Sequence, residues 1–429
     1  MKLLLTILIP ITAIFFSCSD DTPCIVEKYG EAIYLSKSQL RSIQLTEPRE
    51  IERPGGLYYK DGYLYVLELG DVNNWYEEEV SENQKEVIYH PQIDKTGLHI
   101  IDNRIPQNPQ NVGFITIPGV NGMAAKGNQL YADSFHDLMV FDITHPSSPE
   151  LMDSVLDVYD NIPYYLDDSL GLQIGHTVIY EQSDVDCPWG GESSFWYYTD
   201  DLAAAESLDA GTGSTGVAGS MARFITVDDY LYSIDYSILH LFDVSGERPS
   251  KLADIDIGWG IETIYPYEDK LFFGAIDGMY IYDNSNPTAP RFLSKYLHVT
   301  SCDPVIVTDD IAYVTLRNGG ECQGFANQLE IIDVSNPYRP NLLKTYPMEN
   351  PHGLSLINHC LFICEGEFGL KTFDVSPIDP TAITLNNTVD IHAFDVISLP
   401  DITMVVGNDG FYQYSSMCSE PTYLSTISF

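Results

Sequence analysis

The chain has 429 residues, with 62 acidic against 21 basic side chains and a formal net charge of −41. That balance excludes nucleic-acid binding, which needs a basic footprint, and electrostatic docking to anionic lipid. It gives a self-repelling, soluble surface on a chain long enough to bury a large core.

Met1 and Lys2 precede an apolar run from Leu3 to Phe16. The run is too short to span a bilayer comfortably and has the layout of an export signal. It ends Phe15-Phe16-Ser17-Cys18, and a small residue before Cys after an apolar run resembles a bacterial lipobox. This divides the chain into a signal peptide (1–17), a tether with a possible closing strand (18–54), and a body (55–429). Cys18 would carry the lipid, and Phe15 stands where that pattern prefers Leu. The plainer alternative is a secreted protein cut slightly elsewhere. Ser19-Asp20-Asp21 resembles the export signal of surface-exposed lipoproteins. The expected location is the outer membrane, either surface-exposed or periplasmic, with the membrane reached only through the anchor.

From residue 55 onward one unit recurs. It runs from an apolar strand through an Asp to a Ser/Pro-rich turn and a second strand, and LEIIDVSNPYRPNLL from Leu329 shows it most clearly. The other copies are LHIIDNRIPQNPQNV (Leu98), LMVFDITHPSSPELM (Leu138), LHLFDVSGERPSKL (Leu239), MYIYDNSNPTAPRFL (Met279) and LKTFDVSPIDPTAI (Leu370), with a degraded FYQYSSMCSEPTYL at Phe411. The aspartates are Asp102, Asp142, Asp243, Asp283, Asp333 and Asp374, with Ser415 in the seventh place, and four of the six separations are 40 or 41 residues. An Asp ending a strand can accept from backbone N–H groups two or three residues on. The prolines that follow fix φ and stop the strand pairing onward. Six such aspartates could also be read as cation ligands, but a turn used identically in each copy explains them more simply.

A second set of strands precedes each Asp strand: YLYVLE (Tyr63), YLYSID (Tyr230), KLFFGA (Lys270), IAYVTL (Ile311), CLFICE (Cys360) and ITMVVG (Ile402). Each unit therefore reads as four strands with almost no helix signal. A unit of about 40 residues cannot bury both sheet faces alone, and radial stacking solves this. The expected fold is all-β, a seven-bladed β-propeller, closed by Ser42–Leu45 or Thr422–Phe429. An acidic loop is expected at Glu77-Glu78-Glu79, and an insertion without clear strands at about 156–219. In that insertion Trp189, Trp196, Tyr197 and Tyr198 either anchor a partner or fold the loop onto the body. The Gly-rich stretch Gly211–Ser220 reads as loop.

The copies resemble LVIVD repeats, a propeller family of bacterial envelope and secreted proteins. The L-x-[IVL]-[IFY]-D strand and the S-x-P-x-x-P turn carry the resemblance, and their repetition makes it specific. The resemblance implies the fold and an envelope location, and no established activity.

An exported chain permits disulfides, and Cys302 with Cys322 is the expected pair. Cys360 and Cys364 are about 13 Å apart along one strand and cannot bond each other. They are expected as buried thiols, or either meets Cys418. No zinc-site spacing is present.

Propellers hold ligands at the mouth formed by the start of the inner strands. Aligning those starts gives Gly55, Asn121, Ala222 or Arg223, Glu262, Asp303, His352 and Asp395. Glu262, Asp303, His352 and Asp395 fall on adjacent units. They could bind a divalent cation, a carbohydrate or a cationic ligand, act as an acid–base pair, or simply line a polar, water-filled channel. A one-residue slip in register would turn each to the other face. No G-x-S-x-G, H-E-x-x-H, phosphate-binding Gly loop or sialidase Asp-box occurs. No cofactor is expected. The sequence favours a non-enzymatic module binding a protein or carbohydrate ligand. A polysaccharide-directed hydrolase or lyase and a purely structural assembly module are the alternatives.

Overall fold

A computed structural model describes residues 24–70, 75–81, 84–89, 95–159, 166–167, 169–183, 217–235, 237–298, 304–318, 326–375 and 379–429. Among them seven sheets contain a four-stranded antiparallel meander whose strands follow one another in sequence. The first blade is Pro54–Lys60, Tyr63–Glu68, Gly97–Asp102 and Gln110–Thr116. Blades two to six begin at the inner strands Met123–Lys126, Phe224–Val227, Ile261–Tyr267, Val305–Thr308 and Leu354–Ile357. The last is Asp395–Ser398, Thr403–Val406, Gly410–Tyr414 and Tyr423–Ser428. Inner strands of successive blades pack on each other, and that of blade seven packs on that of blade one, so the ring closes.

Local chemistry sets each blade. The inner and second strands meet at two-residue turns whose first residues are Asp61, Asp228, Glu268, Asp309 and Asn358, all at positive φ. Two-residue hairpins match the strand twist in this left-handed form, and Asp and Asn tolerate it best. The third residue of the second strand in blades one to six is large and fully buried, Tyr65, Tyr131, Tyr232, Phe272, Tyr313 and Phe362, and Met404, the second residue of the shorter strand in blade seven, is buried likewise. Each aromatic there removes roughly 150–250 Å² from water, and this wedge between sheets is what stacking contributes. The outer strand of all seven blades carries a register shift at the same place, just after the proline turn. A bulge bends an exposed edge and discourages further strand pairing.

The repeated Asp does what turn chemistry requires. Asp142 Oδ1 accepts from the backbone N–H of Thr144 at 2.8 Å, Asp243 from Ser245 at 2.9 Å, Asp283 from Ser285 at 3.0 Å and Asp333 from Ser335 at 2.9 Å. Asp102 accepts from Arg104 at 3.2 Å, and in the seventh copy Ser415 Oγ accepts from Thr422 N–H at 2.9 Å. The turn beyond Asp374 lies outside the described residues. Hydrogen bonds from these neighbours hold Asp142, Asp243, Asp283 and Asp333 below the usual carboxylate range, and the Arg104 side chain does the same for Asp102.

The proline turn has a further role that the repeat pattern alone does not show. The carbonyl four residues after the Asp accepts a hydrogen bond from the preceding blade. Gln129 Nε2 of blade two donates to Glu247 O at 2.8 Å, Tyr232 Oη of blade three to Pro287 O at 3.1 Å, and Ser294 Oγ of blade four to Pro337 O at 2.6 Å. Ser425 Oγ of blade seven donates to Pro106 O of blade one at 2.6 Å. These four turns are thus clasps between blades, and one of them spans the closure.

Blade seven is joined covalently to blade six. Cys360, in a second strand, bonds Cys418, in the degraded turn, with Cα atoms 5.3 Å apart and 58 residues between them. Cys364 is a buried free thiol, so one of the two strand cysteines stays reduced and the other meets Cys418. Cys18, Cys302 and Cys322 lie outside the described residues. Closing a loop of that length constrains the unfolded chain, so Cys418→Ser is expected to lower the unfolding free energy by about 3 kcal/mol. Urea midpoints of the oxidised chain and the variant measure it, and equal midpoints would show that the bond contributes nothing.

Two expectations about the termini are refined. Tyr423–Ser428 is the outer strand of the last blade, and Gln44–Thr46 adds a further strand outside blade one, pairing with Phe114–Thr116. Strands also appear where the sequence suggested tether and loop. Cys24–Leu35 pairs with Gly171–Ser183, which pairs with Gln84–Tyr89, itself hairpinned to Trp75–Ser81. The acidic run Glu77–Glu79 is therefore strand, and the insertion contributes the long central strand of an accessory sheet. Trp189, Trp196, Tyr197 and Tyr198 lie outside the described residues. Among the described residues no helix is long and apolar enough to cross a membrane.

Candidate functional site: the mouth and axis of the ring

The insertion ends by entering the ring. Val217 and Ala218 pair antiparallel with Tyr59 and Tyr58 of the inner strand of blade one. Gly219 then lies against the Asp395 carboxylate of blade seven, where an added Cβ would sit 2.3 Å from Oδ2. Ser220 Oγ accepts from the backbone N–H of Leu354, in the inner strand of blade six, at 2.8 Å. Ala222 O accepts from Ile264 N–H of blade four at 2.7 Å, and Phe224 starts blade three. Six residues therefore reach inner strands of blades one, seven, six and four. The chain's own segment, Val217–Ala222, occupies the axis.

Small residues make this passage possible. Gly219 and Gly353 both face Asp395, and a Cβ on Gly353 would come within 2.2 Å of Oδ1. Asp395 is 1 % exposed, and neither carboxylate oxygen has a hydrogen-bond partner among the described residues. Burial pushes its carboxyl up to about 7; the backbone amides of Val396 and Ser220 oppose this, close by but short of full hydrogen-bond geometry. His352, beside Gly353, is 6 % exposed, and both its ring nitrogens lack a hydrogen-bond partner among the described residues. Burial, then Arg317 and His392, push its pKa down to about 3, so the ring is neutral at pH 7. Its ring stands edge-on to Phe394 at 5.2 Å, and His392 flanks Phe394 at 4.7 Å.

The fold thus places His352 and Asp395 on adjacent blades, Asp395 sealed under the segment, His352 packed on Phe394, and the two not bonded to each other. Glu262 is elsewhere on the ring. It is the second residue of the inner strand of blade four, at a register shift between Ile261 and Thr263, and is half-buried. Asp303 lies outside the described residues. Among the described residues no three His, Cys, Asp or Glu side chains gather as a metal site. Opposite, Asp133 Oδ1 accepts from the N–H groups of Asn121 and Gly122, each at 2.8 Å. Burial pushes that carboxyl up to about 6 despite these bonds.

A second arrangement recurs at the ends of the second strands. Glu68 Oε2 lies 3.0 Å from His99 Nε2, Asp235 Oδ2 lies 3.6 Å from His240 Nε2, and Glu365 pairs with Lys371. In each case an acid closing the second strand meets a base early in the third strand of the same blade. His240 also holds Asp254 at 2.7 Å through Nδ1. The acids were visible as the last letters of YLYVLE, YLYSID and CLFICE. What the repeat comparison lacked was the matching base two positions into the next strand. These pairs are separated by whole blades and brace single sheets rather than converging on a ligand.

One exposed aromatic also marks the mouth. Trp259 is 65 % exposed, between Gly258 and Gly260, both at positive φ, three residues before Glu262. Those backbone angles favour glycine and hold the indole outward on a tight turn. The Gly-Trp-Gly sequence was its signal.

The sequence model of the LVIVD repeat matches residues 120–157 and 322–347. No curated protein matches the chain. Among solved structures, the periplasmic gluconolactonase PpgL of Pseudomonas aeruginosa is similar at 9 % identity, covering 87 % of this chain and 96 % of that one, with a TM-score of 0.51. BamB from Moraxella catarrhalis covers 90 % of this chain and 97 % of its own, at 8 % identity and a TM-score of 0.46. At such identities the likeness concerns the fold alone. The chain carries LVIVD repeats, folded as a seven-bladed β-propeller.

Proposed function

We propose that the chain is an envelope module, tethered through Cys18 after export, that binds a carbohydrate or protein ligand on its mouth face rather than transforming one on its axis. The occupied axis carries this reading. An axial catalyst needs its acid and base within hydrogen-bond reach of a substrate, whereas Val217–Ala222 fills the space beside Asp395, and His352 is buried. Trp259, exposed on the turn that leads into the inner strand of blade four, supplies an aromatic platform three residues before the half-buried Glu262, a surface suited to a sugar ring or to a partner's polar anchor.

Glycan-array binding, run beside a reducing-end assay on the same envelope and dietary polysaccharides, tests this. The expected result is binding without new reducing ends, weakened at least about tenfold in Trp259→Ala. New reducing ends that disappear in Glu262→Gln and Asp395→Asn would make the chain a polysaccharide hydrolase instead. The gluconolactonase likeness adds lactones to the panel, and lactone opening lost in the same variants would count equally against the binding reading.

A further inference from the structure

The axial segment combines two features. Among the described residues it is held by few bonds, and it seals a carboxylate that accepts no hydrogen bond of full geometry. Val217 and Ala218 contribute a two-residue ladder, Ser220 Oγ one bond to Leu354 N–H, and Ala222 O one from Ile264 N–H. Beneath them Asp395 is enclosed by Gly219 on one side and Gly353 on the other, with no space for a water between carboxylate and either glycine. We propose that Val217–Ala222 is a pH-gated occupant of the axis, held in place while the Asp395 carboxyl is neutral and released when it ionises.

The surroundings of Asp395 favour this coupling. The segment itself, Val-Ala-Gly-Ser-Met-Ala, carries no titratable side chain. From blade six, Gly353 faces the carboxylate, while neighbouring His352 packs its neutral ring on Phe394. The second strand of blade six presents the buried Cys364 thiol, whose pKa is raised by burial and then by Asp395. From its own blade, Asp395 pairs with Val406. The inner strand of blade one contributes Tyr58, whose hydroxyl bonds the backbone of Ala125, and Lys60, paired with Asp61 at the far turn. No cation among these groups offsets an ionised Asp395. The backbone amides of Val396 and Ser220 reach it only in part, so an ionised carboxylate still needs water, and the segment is what keeps water out. Desolvation raises the cost of the charged form until the enclosure opens.

Linkage sets the size of the effect. With the segment released, Asp395 is hydrated and titrates near the ordinary carboxylate value, about 4. In the closed state its carboxyl is held up to about 7. The opening constant then rises about tenfold per pH unit between roughly pH 5 and 7 and levels off above about 8.

Hydrogen exchange of the full-length chain, corrected for the intrinsic pH dependence of exchange, reads this directly on the peptide spanning 217–222. The wild-type chain is expected to show the tenfold-per-unit loss of protection, and Asp395→Asn none. Ser220→Ala, which removes the bond to Leu354 without touching Asp395, should lower protection at every pH and keep the slope. Equal slopes in wild type and Asp395→Asn, or a flat wild type, would overturn the proposal. Should Asp395→Asn not fold, Gly219→Ala serves in its place, because its methyl forces the segment away from the carboxylate. A slope lost there supports the coupling, and a slope retained refutes it. None of these outcomes depends on whether the mouth binds a glycan.

Discussion

Gln413→Ala is expected to lower the unfolding free energy by about 4 kcal/mol, read as a shift of the urea midpoint. Gln413 and Asn103 form a reciprocal amide pair between blades seven and one. Asn103 Nδ2 donates to Gln413 Oε1 at 2.9 Å, and Gln413 Nε2 returns a bond to Asn103 Oδ1 at 2.8 Å. Gln413 also donates to Pro106 O and Ser425 Oγ, each at 3.1 Å. Both amides are buried, at 0 % and 2 % exposure. Alanine leaves the Asn103 amide without its main partner, and a buried orphan costs about 1–3 kcal/mol. The lost side-chain volume adds a cavity term. The pair lies where 310 residues separate its partners, so no local structure compensates. Replacing both by leucine should recover much of the loss, because removing both polar partners is far less costly than removing one. A double-mutant cycle should give a coupling of about 1–3 kcal/mol. Additive single effects would mean that the amide pair does not hold the closure.

Asp395→Asn is expected to do the reverse and stabilise the fold at pH 8, by about 4 kcal/mol relative to wild type. The folded-state pKa is raised from 3.8 to about 7. A group of that kind contributes stability that is fully present below its unfolded value and is lost as pH rises through the folded one. Between pH 4 and 8 the wild type should therefore lose what the amide variant keeps. Asp133, pushed up to about 6, adds to the loss with the same sign. The turn aspartates act oppositely. Asp102, Asp142, Asp243, Asp283 and Asp333 have lowered values, so their contribution is present above the ordinary carboxylate range and is lost as pH falls through those lowered values. The wild-type stability curve should peak between about pH 4 and 6. Urea titrations at pH 5 and pH 8 check this, and a wild type equally stable at both, with Asp395→Asn no better at pH 8, would contradict it.

The architecture was legible because it is written seven times. Asp and Pro at fixed offsets, and strings such as YLYSID, fix strand direction and turn chemistry locally, and the structure places a blade at each copy. That Cys360 or Cys364 could meet Cys418 followed from the same alignment, since neighbouring copies become neighbouring blades, and the structure selects Cys360. The axis was not legible in this way. Ser220 meets Leu354 across 134 residues, and nothing in VAGSMA distinguishes a segment crossing a ring from an ordinary loop. Gly219 and Gly353 have their meaning only once Asp395 stands between them. Asp395 opens the inner strand of blade seven and His352 stands two residues before that of blade six, whereas at Glu262 a bulge intervenes. The accessory sheet escaped notice because its strands come from the amino-terminal segment, the loop of blade one and the insertion. Each strand there pairs with one that no repeat predicts.

The most direct test is a crystal structure of the full chain, inspected along the ring axis. The result expected is continuous density for Val217–Ala222 beside the inner strand of blade one, with Ser220 Oγ within hydrogen-bond distance of Leu354 N–H and Asp395 enclosed by Gly219 and Gly353. An open, solvent-filled axis, with His352 and Asp395 exposed to it, would contradict both the binding reading and the gated segment, and would return the search for catalysis to the centre of the ring.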